Sequence, residues 1–404
     1  MFIDVTRRRN PQLIHAAVEL HQAGRIPSNC YVVDLDTVVQ NTRVVAKAAA
    51  SHRLTAYQMT KQFGRNPIVA QAVAEAGISG VVAVDFEEAR LLHRYGLHIG
   101  HVGHLVQVPA HELGLAADME PDFVTVFGFD QAERISKVAV SRGRTQHLTL
   151  RVVGEKDVFY SAQRGGVAVD EVLDVARRLC NLPGVHLSGV TSFPVVLWDE
   201  AAQAFAPTPN LTTLAEVSAM LNGAGFDAPV INAPSACCSA TFAAKASAGA
   251  THVEPGSCLT GQTPLHAVSD EPERPAMVYI SEISHKTREA VYGIAGGLYP
   301  RCKSTTALIY RGAGSDPVIA GVELDPPDAI DYYGTLLVDD PTSVAVGDSV
   351  VYAFRAQAFV SRCFVAVVSG VESDPHVEGV FTNTGFRLDD DLLPIQIPIG
   401  RMST

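Results

Sequence analysis

The spacing of apolar and polar positions changes once along the chain, near residue 270. Before that point, short apolar runs with strand character fall at 55–60, 80–84, 101–106, 122–128, 147–153, 185–192, 229–232 and 251–254. Between them lie stretches with apolar residues at helical spacing, such as "PIVAQAVAEAG", "FEEARLLHRYG" and "DQAERISKVAVSRG", each closed by the glycine that commonly ends a helix. Eight strand–helix repeats in about 230 residues require parallel pairing through helical crossovers, which predicts an α/β fold, a (β/α)8 TIM barrel. An open doubly wound sheet would want a glycine-rich phosphate loop after an early strand, and neither GxGxxG nor GxxxxGK[ST] occurs. Beyond 270, "AMVYISEIS", "TTALIY", "PVIAGVEL", "YYGTLLV", "SVAVGDSVVYAF" and "CFVAVVS" are short, β-branched or aromatic runs divided by turn residues, which predicts a compact all-β domain. At the other end, a helix is expected near 11–23, followed by a strand and helix in "CYVVDLDTVVQNTRVVAKAAA". The expected division is a helical segment over 1–28 packing on the β domain, a barrel over 29–268 and a C-terminal β domain over 269–404.

Composition narrows the class of partner. The chain has 404 residues, 47% of them hydrophobic and 18% charged, enough to bury a large core. A formal charge of −12 argues against a nucleic-acid or anionic-membrane surface, either of which would present a basic face, and favours a small-molecule partner. No apolar run is long enough to span a bilayer and the start lacks a signal-peptide pattern, so a cytoplasmic location is expected. Seven cysteines without CxxC spacing read as reduced, mostly buried thiols, with neither a disulfide nor a zinc framework.

A barrel of this kind carries its chemistry at the C-terminal ends of its strands. Lys61, His104, Arg151, Ser192, Asn232, Ser235 and Glu254 fall at or just beyond such ends, with Arg164 in a loop further on. Lys61 closes the apolar run of "AYQMTKQFGRNP"; a partly desolvated amine there would be nucleophilic and suited to condense with a carbonyl, although position alone fits a surface lysine equally. "NAPSACCSATF" offers Ser235 and backbone N–H groups leading into a helix, a usual barrel location for phosphate, or else an ordinary capped helix start. Glu254, before the Pro-Gly turn of "THVEPGSCLTG", could hold a pyridine nitrogen protonated or simply face solvent. Amine, phosphate donors and carboxylate are the groups that pyridoxal 5′-phosphate requires of a protein.

Taken together, "YVVDLDTVVQNT", "MTKQFGRNP", "GISGVVAVDFEEARLL", "GHVGHLVQVP", "QRGGV", "GVTSFP", "NAPSA" and "EPGSCLTG" resemble, in order and over nearly the whole length, the fold-type III pyridoxal-phosphate proteins. These form the alanine racemase-like family, and the likeness is to its YhfX-like branch. The resemblance implies that Lys61 is the aldimine lysine, that Arg164 approaches the cofactor's phenolic oxygen and the substrate carboxylate, and that Ser235 and the residues after Glu254 hold phosphate. Arg65 stands where alanine racemases place a phosphate-contacting tyrosine, His104 joins the cofactor site, and Ser192 falls in the segment that in racemases carries a histidine packed on the ring. Glu254 occupies the site of the racemase arginine, as glutamate does in the fold-type III decarboxylases. The Cys-Glu-Ser-x-Asp motif of those decarboxylases is missing, which argues against decarboxylation, and the His/Cys metal motif of D-serine dehydratases is missing too, so no catalytic metal is expected.

The resemblance implies a pyridoxal-phosphate-dependent amino-acid racemase or epimerase that abstracts the Cα proton, working as a homodimer with shared active sites. Lys61 would serve one face of Cα; His285 is the candidate for the other, with Tyr299 and Arg355 as candidate substrate contacts from the β domain. The alternatives are a lyase, either an aldolase on β-hydroxy amino acids or a decarboxylase, and a non-catalytic pyridoxal-phosphate carrier.

Overall fold

The structure, a computed structural model, describes residues 1–299, 302–326 and 328–395. Eight parallel strands close into a barrel: barrel strands 1 to 8 are Thr55–Met59, Gly80–Val82, His98–Val102, Phe123–Val126, Gln146–Val153, Val185–Thr191, Val230–Asn232 and His252–Val253. Each pairs with its successor, and strand 8 returns to strand 1 through His252 opposite Thr55 and Val253 opposite Ala56. Strands covered on both faces read as continuous apolar runs, and Val81, Val82, Leu148, Leu150 and Val190 are fully buried.

Two glycines near the barrel floor make room for one ring. A Cβ added to Gly80 or Gly100 would meet the Tyr57 ring at 2.2 or 2.4 Å, so glycine at both positions makes room for the ring, whose hydroxyl donates to Asp122 at 2.8 Å. Strand 3 ends at Val102, four residues short of the expected end. Gly103 turns the chain with φ +80°, and a Cβ there would lie 2.5 Å from the Thr125 carbonyl oxygen. His104 therefore sits in the loop beyond the strand.

The second sheet has nine strands, antiparallel apart from one pair, and holds the expected runs at Met277–Lys286, Thr306–Tyr310, Val318–Glu323, Tyr333–Leu337, Ser349–Tyr352 and Phe364–Ser369. It also holds Cys30–Asp34, antiparallel to Met277–Lys286 and parallel to Phe364–Ser369, which corrects the boundary at 29. An all-buried strand carries no sign of which sheet it joins, and only the pairing reveals it. The chain divides into one compact unit of Met1–Val38, Lys61–Val69 and Arg274–Thr404, and another of Val39–Thr60 and Ala70–Glu273. Within the first unit, helices Phe2–Arg9 and Pro11–Gln22 bury Leu13, Ile14, Ala17 and Val18 against Val278, Ile280, Leu308 and Val351. Asn10 caps the second helix by accepting from the Leu13 amide, and its amide nitrogen donates to Asp34 and to the Pro275 carbonyl, both at 2.9 Å.

Candidate functional site

At the C-terminal ends of the barrel strands, Glu254 is buried with its side chain 1% exposed. One carboxylate oxygen accepts from His101 Nδ1 at 2.9 Å and from Asn232 Nδ2 at 2.8 Å; the other lies 3.7 Å from His104 Nε2 and accepts no hydrogen bond among the described residues. Burial by itself would raise this carboxyl's pKa. The charge of His104, the hydrogen bond and charge of His101 and the Asn232 amide outweigh it and hold the pKa at about 2. Below Glu254 the polar chain continues, from His101 Nε2 to Thr125 Oγ1 at 2.6 Å and on to Thr149 Oγ1 at 2.7 Å. Sequence reasoning passed over His101. Its signal was the pair of histidines in "GHVGHL", whose rings stand 5.4 Å apart.

The donor atoms of His101, His104 and Glu254 lie within 4.8 Å of one another. The 2.9 Å between His101 Nδ1 and the Glu254 oxygen is a direct hydrogen bond.

Arg151, 1% exposed, has no carboxylate within ion-pair distance among the described residues. Its guanidinium donates to the Gln163 carbonyl at 2.8 Å, approaches the His104 carbonyl at 3.5 Å and lies 4.8 Å over the Phe127 ring, while Nε has no hydrogen-bond partner. Burial lowers its pKa. Ser192 is buried, its hydroxyl accepting from Asn210 Nδ2 at 3.3 Å. Arg164 is exposed and stacks 5.2 Å over Phe159. The Ser235 hydroxyl is engaged within the protein: it accepts from the amides of Val195 and Val196, both at 3.1 Å, and donates to the Val196 carbonyl at 2.9 Å. Its own N–H and those of Ala236, Cys237, Gly256, Ser257 and Cys258 find no acceptor among the described residues. What the two loops after strands 7 and 8 offer an anion is therefore backbone amides rather than a serine hydroxyl.

Lys61 begins a short 3-10 turn, Lys61–Phe63, two residues past strand 1, and is half-buried. The residues before it are fixed: the Met59 amide donates to the Pro255 carbonyl at 2.8 Å, and the Thr60 hydroxyl donates to the buried Glu88 carboxylate, whose other oxygen accepts from the Val84 amide. After the turn, Arg65 is buried with φ 56° and its guanidinium lies 5.5 Å over Phe359. Asn66 then caps helix Pro67–Glu75 by accepting from the amides of Ile68 and Val69. In the β domain, His285 is exposed, stacked on Tyr292 at 4.6 Å and edge-on to Tyr333 at 4.8 Å. Tyr299 donates its hydroxyl to the carbonyl of Arg355 at 2.6 Å, and the Arg355 side chain is exposed.

A (β/α)8 barrel and an antiparallel β domain in one chain, with a buried carboxylate and loop amides that lack an acceptor among the described residues at the strand ends, place the chain in a class shared by several enzyme families. The family follows from the sequence itself. Residues 33–264 match the model for alanine racemase, N-terminal domain, and residues 278–377 match YhfX-like, C-terminal domain. The chain belongs to the alanine racemase-like, fold-type III family, in its YhfX-like branch. It is 39% identical over 389 residues to the uncharacterized protein YhfX of Escherichia coli strain K12, covering 96% of this chain and 100% of that one. Among solved structures, D-threonine aldolase from Filomicrobium marinum matches 89% of this chain and 95% of its own with a TM-score of 0.67 and 16% identity. D-threo-3-hydroxyaspartate dehydratase from Delftia sp. HT23 gives 0.66 and 16% over 89% and 98%, and alanine racemase from Clostridium difficile 630 gives 0.63 and 15% over 89% and 99%. At such identities these likenesses establish the shared fold. Among the described residues no helix is long and apolar enough to cross a membrane.

Proposed function

We propose that the protein is a pyridoxal 5′-phosphate-dependent amino-acid racemase or epimerase. The observation that carries the cofactor part of this reading is the buried Glu254 carboxylate, ionised and with one oxygen unfilled among the described residues, at the C-terminal ends of the barrel strands. That oxygen suits the N–H of a protonated pyridine ring. The amides after strands 7 and 8 suit a phosphate, and the buried Arg151 guanidinium, which has no carboxylate partner among the described residues, suits an anionic oxygen. Bound, the cofactor supplies an electron sink that makes the Cα proton of an amino acid removable.

The chain's own groups divide the remaining work. Lys61 would be the residue that holds the cofactor through its aldehyde, and its Nζ would take or return the Cα proton on one face. Glu254, held ionised by His101, His104 and Asn232, keeps a proton on the ring nitrogen. Arg164 orients the substrate carboxylate. His285 of a second subunit is the acid/base assigned to the opposite face of Cα, with Tyr299 and Arg355 as its neighbours at the substrate; the homodimer is part of this proposal. A lyase is the second reading, favoured by Glu254 itself, because a protonated ring stabilises carbanions formed by carbon–carbon cleavage as well as by proton loss.

Two measurements test the assignment. Lys61→Ala should abolish both the visible absorbance of the holoprotein and its turnover, and a mutant that keeps both removes Lys61 from the site. With the wild-type protein in deuterated solvent, deuterium should appear at Cα of an otherwise unchanged amino acid; release of an aldehyde or carbon dioxide instead makes the enzyme a lyase.

A further inference from the structure

Helix Ser239–Ser247 buries a lysine in its last turn, and Lys245 is 0% exposed. Helical side chains lean toward the N-terminus, and this one runs back under the loop that precedes its own helix. Its Nζ donates to the carbonyl oxygens of Ala233 at 2.8 Å, Pro234 at 3.4 Å and Ser235, and lies 3.0 Å from Cys237 Sγ. Four acceptors, three carbonyl oxygens and the Cys237 sulfur, thus surround the three N–H donors of the ammonium group. Among the described residues no carboxylate forms an ion pair with it. A buried cation balanced only by dipoles is expensive to keep, which points to an anion that arrives later.

The loop gripped in this way is the one after barrel strand 7. Ser235 and Ala236 both have left-handed backbones, φ 71° and 42°, a conformation that L residues hold only where their surroundings impose it. Lys245 holds the carbonyls of residues 233–235, while the amides of Ser235, Ala236 and Cys237 find no acceptor among the described residues. The helix start itself is already taken, since the Cys238 amide donates to Thr241 Oγ1 and the Ser239 amide to the buried Glu273 carboxylate at 3.0 Å. With a carboxylate on the helix N-terminus, the positive field for a second anion has to come from elsewhere. Cys237 Sγ also accepts from the Glu254 amide at 3.3 Å, which ties the loop to the backbone of the residue proposed for the ring nitrogen.

We propose that Lys245 is a positioning residue for the cofactor phosphate: it sets the loop 233–237 so that its amides are left for the phosphate oxygens, and supplies the buried counter-charge beneath them. This rests on the pyridoxal-phosphate reading above. The test compares binding of pyridoxal 5′-phosphate with binding of pyridoxal, which lacks the phosphate, to the full-length protein by absorbance titration. Wild type should prefer the phosphate ester, and in folded Lys245→Met that preference should fall by roughly ten- to a hundredfold with pyridoxal affinity kept. Equal loss for both ligands, or an unchanged ratio, overturns the role. Should Lys245→Met fail to fold, hydrogen exchange of the wild-type peptide spanning 233–238 decides: inorganic phosphate should slow its amides, and exchange unaffected by phosphate overturns the proposal. Wild type that binds neither ligand sinks the cofactor reading and this inference together, whereas a wild-type phosphate preference that survives in Lys245→Met sinks this inference alone.

Discussion

A carboxylate away from water stays ionised only where its neighbours outweigh the cost of burial, and Glu254 has two imidazoles and an amide to do so. Its pKa, depressed from 4.5 to about 2, contributes stability that is present above pH 4.5 and lost as the pH falls toward 2. His252 adds a second window. Burial is the first cause that pulls its pKa from 6.5 to about 4, His101 adds to this, and the carboxylates of Asp122 and Glu254 oppose it. The unfolded chain therefore takes up a proton below pH 6.5 that the folded one refuses until about 4, and stability declines across that interval. Each group accounts for at most about 3 kcal/mol. Urea midpoints at pH 7, 5.5 and 4 should fall steadily for wild type and more gently between pH 7 and 5.5 for His252→Gln; parallel curves would contradict the assignment. At this scale the sequence showed Glu254 and Lys61 by their places after apolar runs, yet it gave no sign that the Ser235 hydroxyl is spent on Val195 and Val196, because that partnership joins residues 40 apart in the chain.

Among elements, barrel closure depends on glycines whose Cβ would strike backbone. A Cβ on Gly189 would lie 1.9 Å from the Val230 carbonyl oxygen, in the pairing of strands 6 and 7, where no side-chain rotation relieves it. Gly189→Ala should cost about 3 kcal/mol or prevent folding, whereas Gly223→Ala, with nothing within 4 Å of the new Cβ at the end of a helix, should be neutral or stabilise by up to about 1 kcal/mol; thermal unfolding of both variants measures the contrast. The eight barrel runs were legible because parallel strands buried on both faces leave unbroken apolar stretches. The early end of strand 3 was not, since "GHVGHL" reads as apolar alternation until Gly103 is seen to turn left-handed against Thr125. Two strands of the β domain, Val291–Ile294 and His376–Thr382, also escaped the reading: the first is only four residues long and the second, "HVEGVFT", carries polar residues and a glycine along most of its length.

For the molecule as a whole, a racemase with shared active sites would require two subunits to act. Lys61→Ala and His285→Ala variants, each inactive as a homodimer, should regain up to about a quarter of wild-type activity when mixed and reassembled, since one of the two sites in each heterodimer is then intact. A protein that sediments as a monomer while fully active would end that part of the proposal. Local periodicity determined the two architectures and their order, because helical and strand spacing are properties of neighbouring residues. The order of motifs determined the family. Only the tertiary structure decided that Cys30–Asp34 belongs to the nine-stranded sheet, that His101 and Asn232 share one Glu254 oxygen, and that Lys245 lies beneath the loop at 233–237. These are pairings across long chain separations or through a buried charge, and their energies arise from desolvation and hydrogen-bond geometry that no local pattern of residues contains.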